Sequence, residues 1–246
     1  MSKMKLSKSS VNSFIKCRRE FKYQYIDKIK GKKNKFLLFG SFIHDIAENI
    51  AKELQKKTTM NIDIITEVFA KYYPHDHPFD VEDVKTHMNN LYAFFVEAFV
   101  NNNYKIFSIE EYILDTENAL SGLSDLVLEN NNGDLIVIDY KTGRTKPITS
   151  FRLELCYYKR LIEFKYPDKK VVTAGIFFTK DKGYRFLNFA ENQKKGAYIT
   201  QEDYNSALEM LDFVRSEVDK GRLSPSRQYN CRFCTYKNRC EKDGGF

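Results

Sequence analysis

The fold of this chain is decided by the stretch GLSDLVLENNNGDLIVIDYKTGR, residues 122–144. The turn signal NNNGD lies between two segments rich in apolar and β-branched residues, which predicts a hairpin of two strands. Asp125 lies on the first strand, and Asp139 and Lys141 lie on the second. Because side chains at i and i+2 of a strand share a face, Asp139 and Lys141 are expected to point the same way, with Asp125 beside them.

Two carboxylates and an ammonium group in this arrangement suit metal-dependent hydrolysis of a phosphodiester. Carboxylate oxygens are hard ligands for Mg²⁺ or Mn²⁺, and such an ion polarises a phosphate and activates a water molecule. A lysine ammonium beside them can orient that water or stabilise developing negative charge. A lone D-x-K on a strand is often a chance pattern, so the hairpin context carries the prediction. We therefore predict Asp125, Asp139 and Lys141 as catalytic residues, with the two aspartates as metal ligands.

The remaining chain alternates between the helical and the strand period of apolar residues. Helices are predicted at 9–27, 36–57, 61–73, 82–101, 149–165 and 200–221, and strands at 105–114, 122–128, 135–141, 170–179 and 184–190. Ser9 and Ser10 are expected to cap the first helix, and Thr200 with Asp203 the last. This order predicts an α/β fold with a mixed central sheet and an N-terminal helical region. We expect three parts. Residues 1–104 form a basic arm and helical region, and residues 105–199 form the nuclease-like core. Residues 200–246 form a helix and an irregular cysteine-bearing tail that packs back on the first helix.

Charge is unevenly distributed along the chain. The 246 residues carry a net charge of +7, but residues 1–36 contain twelve Lys or Arg and two acids, a local charge of +10. A basic arm on a nearly neutral body indicates a polyanion such as DNA as partner, although a solvated basic face would have the same composition. No apolar run approaches the roughly 20 residues of a membrane span, and the N-terminus lacks a signal peptide's apolar stretch. We expect a cytoplasmic, intracellular protein with no membrane partner.

Three of the five cysteines lie close together near the C-terminus, as Cys231, Cys234 and Cys240. The pattern C-x2-C-x5-C favours a metal site over a disulfide framework. A closed site requires a fourth ligand, and Cys17 on the first helix is the natural candidate because its neighbours are polar. Spacing alone leaves zinc and an iron–sulfur cluster equally open. Cys156 lies between apolar residues and is expected to be a core thiol.

These motifs resemble those of the RecB-type branch of the PD-(D/E)XK nucleases. Gly122-Leu-Ser-Asp125 resembles the family's G-x-x-D, and Asp139-Tyr-Lys141-Thr-Gly143 resembles its D-x-K followed by Thr-Gly. The helix segment from Gly40 through His44 to Glu48 resembles its G-x-x-x-H-x-x-x-E. The resemblance implies that His44 is a further metal ligand and that Glu48 lies near the ligands.

Two further positions on the family pattern concern the substrate and the metal. The family's Gln-x-x-x-Tyr corresponds to Glu154 and Tyr158, which are therefore predicted to position substrate. Glu154 departs from the family's Gln, and a carboxylate there would repel a phosphate unless it is protonated or near a metal. Members of the family place a Glu on the preceding strand near the metal, and here either Glu110 or Glu111 could serve.

The four cysteines Cys17, Cys231, Cys234 and Cys240 resemble the iron–sulfur group of these nucleases in order and spacing. That group includes AddB-type helicase–nuclease subunits, the eukaryotic replication helicase-nuclease and stand-alone CRISPR-associated exonucleases, and phages carry similar stand-alone proteins. The resemblance covers residues 9–242 and implies a 4Fe–4S cluster that fastens the tail to the first helix.

The resemblance also implies a function. The implied function is that of a DNA exonuclease that prefers single strands and acts on free ends. Such an enzyme would act in repair, recombination or CRISPR spacer acquisition, the last being part of antiviral defence. Its partners would be CRISPR or recombination proteins. If the protein is phage-encoded, it acts in the host cell. The alternatives are a non-catalytic DNA-binding subunit and a zinc-stabilised nucleic-acid-binding protein on the same fold.

Overall fold

The computed structural model describes residues 3–31, 35–181, 183–189, 198–226, 231–232 and 234–245. A six-stranded mixed sheet lies between two layers of helices, each layer with its own apolar core. The predicted α/β class with a mixed central sheet is confirmed. Within the described ranges, no helix combines the length and the apolar character needed to cross a membrane.

The secondary-structure elements follow the predicted order, with an additional strand at the N-terminus, a division of the first predicted helix and an additional helix in the tail. The strands are β1 Leu6–Ser7, β2 Lys105–Asp115, β3 Leu120–Glu129, β4 Leu135–Lys141, β5 Val171–Phe178 and β6 Gly183–Asn188. The α-helices are α1 Lys8–Lys16, α2 Arg18–Phe21, α3 Lys35–Gln55, α4 Ile62–Tyr72, α5 Val81–Val96, α6 Arg152–Lys165, α7 Gln201–Asp219 and α8 Lys237–Lys242. Turns of π-helix span Lys22–Ile26 and Glu97–Asn101, and a 3-10 turn spans Ile148–Phe151.

The sheet is built around β3. Strand β2 pairs antiparallel with β3 from Lys105–Glu129 to Asp115–Leu120, and the register shifts between Ile106 and Ser108. The predicted hairpin is present, since β3 and β4 are antiparallel with Leu126 opposite Ile138. Because β2 occupies one edge of β3, β4 and the short parallel strand β1 share the other edge. Strand β1 therefore enters where β3 and β4 part, next to Asp125 and Asp139.

The two faces of the sheet pack against different helices. Ile136 and Ile138 of β4 belong to the core formed with α3, α4 and α5. Leu135 and Val137 belong to the core formed with α1, α6 and α7. By the alternation of a strand, Asp139 lies on the α6 side, where Cys156 is buried in the core as predicted.

The predicted single helix over 9–27 is wrong. It is broken at Cys17, whose extended backbone (φ −161°, ψ 114°) separates α1 from α2. The predicted N-cap of α1 at Ser9 or Ser10 is also wrong. Ser7 is the N-cap, and it forms a reciprocal capping box with Ser10. Residue Ser7 is fixed by β1, which the apolar period does not reveal. The capping box of Thr200 and Asp203 is confirmed.

The tail after residue 222 is less irregular than predicted. It forms α8, which is joined to the N-terminal segment by aromatic and polar contacts. Tyr236 packs on Tyr23 with ring centroids 5.6 Å apart, and its hydroxyl donates to the carbonyl of Ile29 over 2.9 Å. The hydroxyl of Tyr23 donates to Asp243 over 2.8 Å. Residue 190, at the end of the predicted strand 184–190, lies outside the described residues.

Candidate active site

Three side chains from separate elements form a group that could hold a metal ion. They are His44 of α3, Glu110 of β2 and Asp125 of β3, and one ligand atom from each lies within 4.8 Å of the others. Nδ1 of His44 is 3.4 Å from Oδ2 of Asp125. The same Oδ2 accepts a hydrogen bond from the backbone amide of Tyr140 over 2.8 Å, which fixes the carboxylate. One imidazole and two carboxylates suit Mn²⁺ and Mg²⁺ as ligands.

Glu110 reaches this group through a local reversal of β2. Its φ is +45°, which is rare for a residue with a side chain. In a regular strand the neighbours Ile109 and Glu111 would share a face. Here Ile109 packs on the α3–α5 core, whereas Glu111 bonds to Tyr166 over 2.7 Å and to Lys165 on the α6 side. Because of the strained backbone at Glu110, the side chain of Glu110 points to the metal group and that of Glu111 points away from it.

The carboxylates of the group are crowded and buried. Burial, followed by the charges of Asp125, Glu48 and Asp45, raises the pKa of Glu110 to about 7. Burial and the nearby Asp139 raise the pKa of Asp125 above its ordinary value. Acids that repel one another in this way are typical of sites that bind a cation. The residues present therefore fit a divalent metal.

Beside the metal group, two lysines and two acids form a closed ring of ion pairs. Oδ1 of the buried Asp139 is 2.7 Å from Nζ of Lys8, and Oδ2 contacts Nζ of Lys141. Oε1 of Glu154 lies 2.6 Å from Nζ of Lys8 and 2.9 Å from Nζ of Lys141. The hydroxyl of Tyr158 donates to Oδ1 of Asp139. We call Lys8, Asp139, Lys141 and Glu154 the charge ring.

The charge ring fixes the protonation states of its members. Burial would raise the pKa of Asp139, but Lys8 and Lys141 outweigh it and hold the pKa below its ordinary value. Burial would lower the pKa of Lys141, but Asp139 and Glu154 hold it above its ordinary value. Burial and the charge of Asp139 raise the pKa of Tyr158, so it keeps its proton. Lys141 is thus a permanent cation, suited to stabilising negative charge on a phosphate.

The residues predicted from the sequence meet at one cleft. A cavity of about 320 Å³ is lined by His44, Asp125, Asp139, Lys141 and Tyr158 together with Lys8. A second cavity of about 400 Å³ shares His44, Leu123, Asp125 and Thr142 with the first, and it adds Phe36, Leu37, Gly40, Ser41, Asp45, Glu48 and Glu110. We call the two together the cleft. Lys8 and Lys141 line the first half, together with Asp125 and Asp139, whereas the second half, here called the acidic half, contains no lysine among its lining residues.

Two features of the cleft differ from a simple reading of the motifs. His44 and Asp125 lie in the metal group, but its third member is Glu110, while Asp139 is paired with Lys8 and Lys141. Of the two acids left open by the sequence, Glu110 rather than Glu111 faces the cleft. Lys8 was not identified from the sequence, because nothing separates it there from the other cations of the basic arm.

The glycine of the G-x-x-D motif has a packing role. A Cβ at Gly122 would lie 2.6 Å from Cδ1 of Leu161 on α6. A larger residue at this position would require the Leu161 side chain to shift. Glu154 and Tyr158 lie earlier on the same helix and contact the charge ring at the end of β4.

The four cysteines predicted to bind a metal surround a separate cavity. Cys17, Cys231, Cys234 and Cys240 line a space of about 290 Å³ between the break after α1 and the tail. Among the described residues, no three cysteine sulfurs lie within 4.8 Å of one another. Burial raises the pKa of Cys234 and of Cys240 above the ordinary thiol value.

Known proteins provide independent comparisons. The model of the PD-(D/E)XK nuclease superfamily matches residues 5–241. None of the curated protein sequences matches. Among solved structures, a candidate exonuclease from Eubacterium rectale is similar with a TM-score of 0.53 at 11% identity, over 96% of this chain and 87% of that chain. The structure of SSO0001 is similar with a TM-score of 0.37 at 14% identity, over 83% of this chain and 98% of that chain.

The family model spans both the metal group and the charge ring, and the first structural similarity extends over nearly the whole fold. The chain belongs to the PD-(D/E)XK nuclease superfamily.

Proposed function

We propose that this protein is a metal-dependent DNA exonuclease that prefers single strands with free ends. The observation that carries the proposal is the metal group of His44, Glu110 and Asp125 beside the charged Lys141. A divalent cation held there would polarise the scissile phosphate and activate a water molecule. Lys141 would hold that water or the phosphate oxygen, since its ammonium group stays charged and lies at the cleft.

The proposed ligands are His44, Asp125 and Asp139, with Glu110 as an additional carboxylate. His44 and Asp125 are already within reach of one ion. Asp139 would bind the ion by exchanging its contact with Lys8 for a metal contact. Tyr158, whose hydroxyl donates to Asp139, would keep that carboxylate oriented during the exchange.

The preference for single strands is supported by apolar side chains at the edge of the acidic half of the cleft. Phe36, Leu37 and Leu123 are 74%, 60% and 46% exposed, and all three line it. Unpaired bases can stack on the aromatic ring of Phe36, with about 1–3 kcal/mol per stacked base, while Leu37 and Leu123 provide apolar contact beside it. Bases inside a duplex cannot. A strand whose phosphate lies at the metal group would therefore gain from having its neighbouring bases unpaired.

We further propose a 4Fe–4S cluster on Cys17, Cys231, Cys234 and Cys240. All four thiols line one cavity, which supports a shared metal centre there. The choice of an iron–sulfur cluster over zinc rests on the resemblance of Cys17 and the C-x2-C-x5-C pattern to the iron–sulfur nucleases, since no three of the described cysteine sulfurs lie within 4.8 Å of one another. Such a cluster would fasten the tail to the N-terminal segment.

The proposed reaction is tested by digestion of end-labelled single-stranded and double-stranded DNA with Mn²⁺, with Mg²⁺ and with EDTA. We expect wild-type protein to shorten single strands from an end and to require the metal. Asp139→Ala should abolish cleavage, while Glu111→Gln, which changes an acid outside the cleft, should not. Binding of DNA with no digestion under any metal condition would contradict the proposal and would favour a non-catalytic binding protein. Metal analysis of the purified protein separates iron from zinc.

A further inference from the structure

Lys8 is the member of the charge ring that the catalytic motifs do not account for. Its ammonium group contacts three side chains of the ring and its surroundings: Oδ1 of Asp139 at 2.7 Å, Oε1 of Glu154 at 2.6 Å and the hydroxyl of Tyr158. The same ammonium lies 4.6 Å from the ring centroid of Tyr158. The side chain is 20% exposed and lines the cleft, so it faces the open cleft as well as the ring.

The position of Lys8 is set by the sheet rather than by a free arm. Leu6 and Ser7 pair in parallel with Leu120 and Ser121 of β3. Ser7 then caps α1, so Lys8 is the first helical residue and its backbone is fixed by the strand on one side and the helix on the other. The side chain therefore reaches the ring from a rigid base, as a designed active-site contact would.

Lys8 balances a charge that Lys141 alone could not. The ring contains the two buried carboxylates of Asp139 and Glu154 and two ammonium groups. Without Lys8, both carboxylates would share Lys141 and the ring would carry one uncompensated negative charge, which is costly in a low-dielectric surrounding. A divalent ion bound to Asp139 would change this balance. The ion would repel the Lys8 ammonium and would also neutralise part of the negative charge of Asp139 that attracts it.

We infer that Lys8 is a second active-site ammonium that alternates between Asp139 and a DNA phosphate. Without metal it occupies Asp139 and keeps the ring neutral. When metal takes Asp139, Lys8 is released from that oxygen and binds a phosphate oxygen of the strand in the cleft, while Glu154 keeps it in place. This inference rests on the proposed nuclease function, and it assigns to the basic arm one residue that acts within the chemistry.

The exchange predicts two effects of opposite sign. In Lys8→Met the metal no longer competes with an ammonium for Asp139, so Mn²⁺ affinity without DNA should rise by about tenfold or more. The single-turnover cleavage rate at saturating DNA should fall by about tenfold to a hundredfold, because a cation at the phosphate is missing. A residue with only a structural role would weaken both metal binding and cleavage.

The experiment measures Mn²⁺ binding by calorimetry and cleavage by single-turnover kinetics in four variants. They are Lys8→Met, Lys8→Arg, the double variant Lys8→Met with Glu154→Gln, and Lys5→Met as the matched control. Lys5 lies on the same arm, but it bonds to the hydroxyl of Tyr112 over 3.3 Å in an exposed contact. Lys8→Arg should keep most of the cleavage rate. Glu154→Gln should restore part of the rate lost in Lys8→Met, because it removes the uncompensated negative charge that would repel a phosphate in the cleft.

The outcomes distinguish this inference from the proposed function. If wild-type protein binds Mn²⁺ and cleaves DNA, and Lys8→Met changes neither, the inference is wrong while the function stands. A parallel loss of Mn²⁺ binding, cleavage and thermal stability in Lys8→Met, with none regained in the double variant, would also overturn it. Wild-type protein that binds no Mn²⁺ would contradict the proposed function itself.

Discussion

The backbone amide of Tyr140 on β4 donates a hydrogen bond to Oδ2 of Asp125 on β3 over 2.8 Å. The hairpin thus fixes the orientation of a buried carboxylate that its surroundings disfavour as an ion. The hydrogen bond favours the charged form, but burial and Asp139 together raise the pKa of Asp125. The ionised carboxylate of Asp125 therefore destabilises the fold when no metal is bound. A bound cation would offset this loss of stability.

We predict that Asp125→Asn abolishes cleavage but stabilises the metal-free protein. A raised pKa means that the ionised form is unfavourable in the folded state, so removal of the charge should relieve that cost. For a chain of this size, each kcal/mol of relief corresponds to a rise of about 2–4 °C in Tm. Calorimetric scans in EDTA, with and without the substitution, measure the effect. A lower Tm in the variant would show that the hydrogen bond to Tyr140 outweighs the burial of charge.

A second prediction compares two adjacent acids on β2. Glu110→Gln should weaken Mn²⁺ binding by at least about tenfold, because it removes a carboxylate at the metal group. Glu111→Gln is the matched control, since Glu111 pairs with Lys165 and Tyr166 on the far side of the strand. Titration of Mn²⁺ in the two variants tests the assignment. Equal affinities in both would remove Glu110 from the metal site.

Phe36 provides a test of the preference for unpaired bases. Phe36→Ala should lower the affinity for single-stranded DNA by about fivefold to a hundredfold, the equivalent of one lost base stack. Affinity for blunt duplex should change much less. Ile62→Ala is the control, because Ile62 is also exposed but lies on α4 and does not line the cleft. The affinities are measured in Ca²⁺, and an equal loss on both substrates would argue against base stacking at Phe36.

The stability of the fold should depend on pH through His87. This buried histidine on α5 shares a 2.6 Å hydrogen bond with Oγ1 of Thr179. Burial and the charge of Lys180 lower the pKa of His87 to about 4. The charges of Asp83 and Asp181 act in the opposite direction but are outweighed. The folded protein therefore favours the neutral ring. The stability that this provides is complete above a pH of about 6.5, where the unfolded histidine titrates, and is lost as pH falls toward about 4.

The histidine contribution is isolated by comparing two variants in denaturant titrations between pH 7 and pH 4. His87→Gln should show a smaller decrease of unfolding free energy with falling pH than wild-type protein. His75→Gln, at an exposed position in the loop before α5, should retain the wild-type slope. If His87→Gln also retained the wild-type slope, the imidazole of His87 would take up its proton in the folded protein as readily as in the unfolded chain.

The cysteines give the fifth prediction. Protein purified without oxygen should be brown, with broad absorbance near about 400 nm, as expected of thiolate-ligated iron–sulfur centres. Cys17→Ser should lose the colour and make both ends more sensitive to protease, because the proposed link between them is broken. Cys156→Ser, in the α6 core, should keep the colour. Full absorbance in Cys17→Ser would exclude Cys17 as a ligand, and stoichiometric zinc in colourless protein would exclude the iron assignment.

Much of the fold and several residues that line the cleft were accessible from local pattern. The hairpin of β3 and β4 was predicted because NNNGD and the apolar segments around it are short-range signals. The capping box of Thr200 and Asp203 is likewise encoded within four residues. The α3 motif placed His44 on a helix face, and the strand period placed Asp139 and Lys141 together. These are relationships between neighbours in the chain.

The sequence by itself therefore determined the α/β elements, the superfamily motifs and the residue types of the cleft. Only the tertiary structure decided which of two adjacent acids enters the metal group, since that depends on the positive φ of Glu110. It also decided that Lys8 completes the charge ring, because this position depends on the pairing of β1 with β3, more than a hundred residues away along the chain. Contacts of that kind arise from packing of distant segments, and no local period or motif records them.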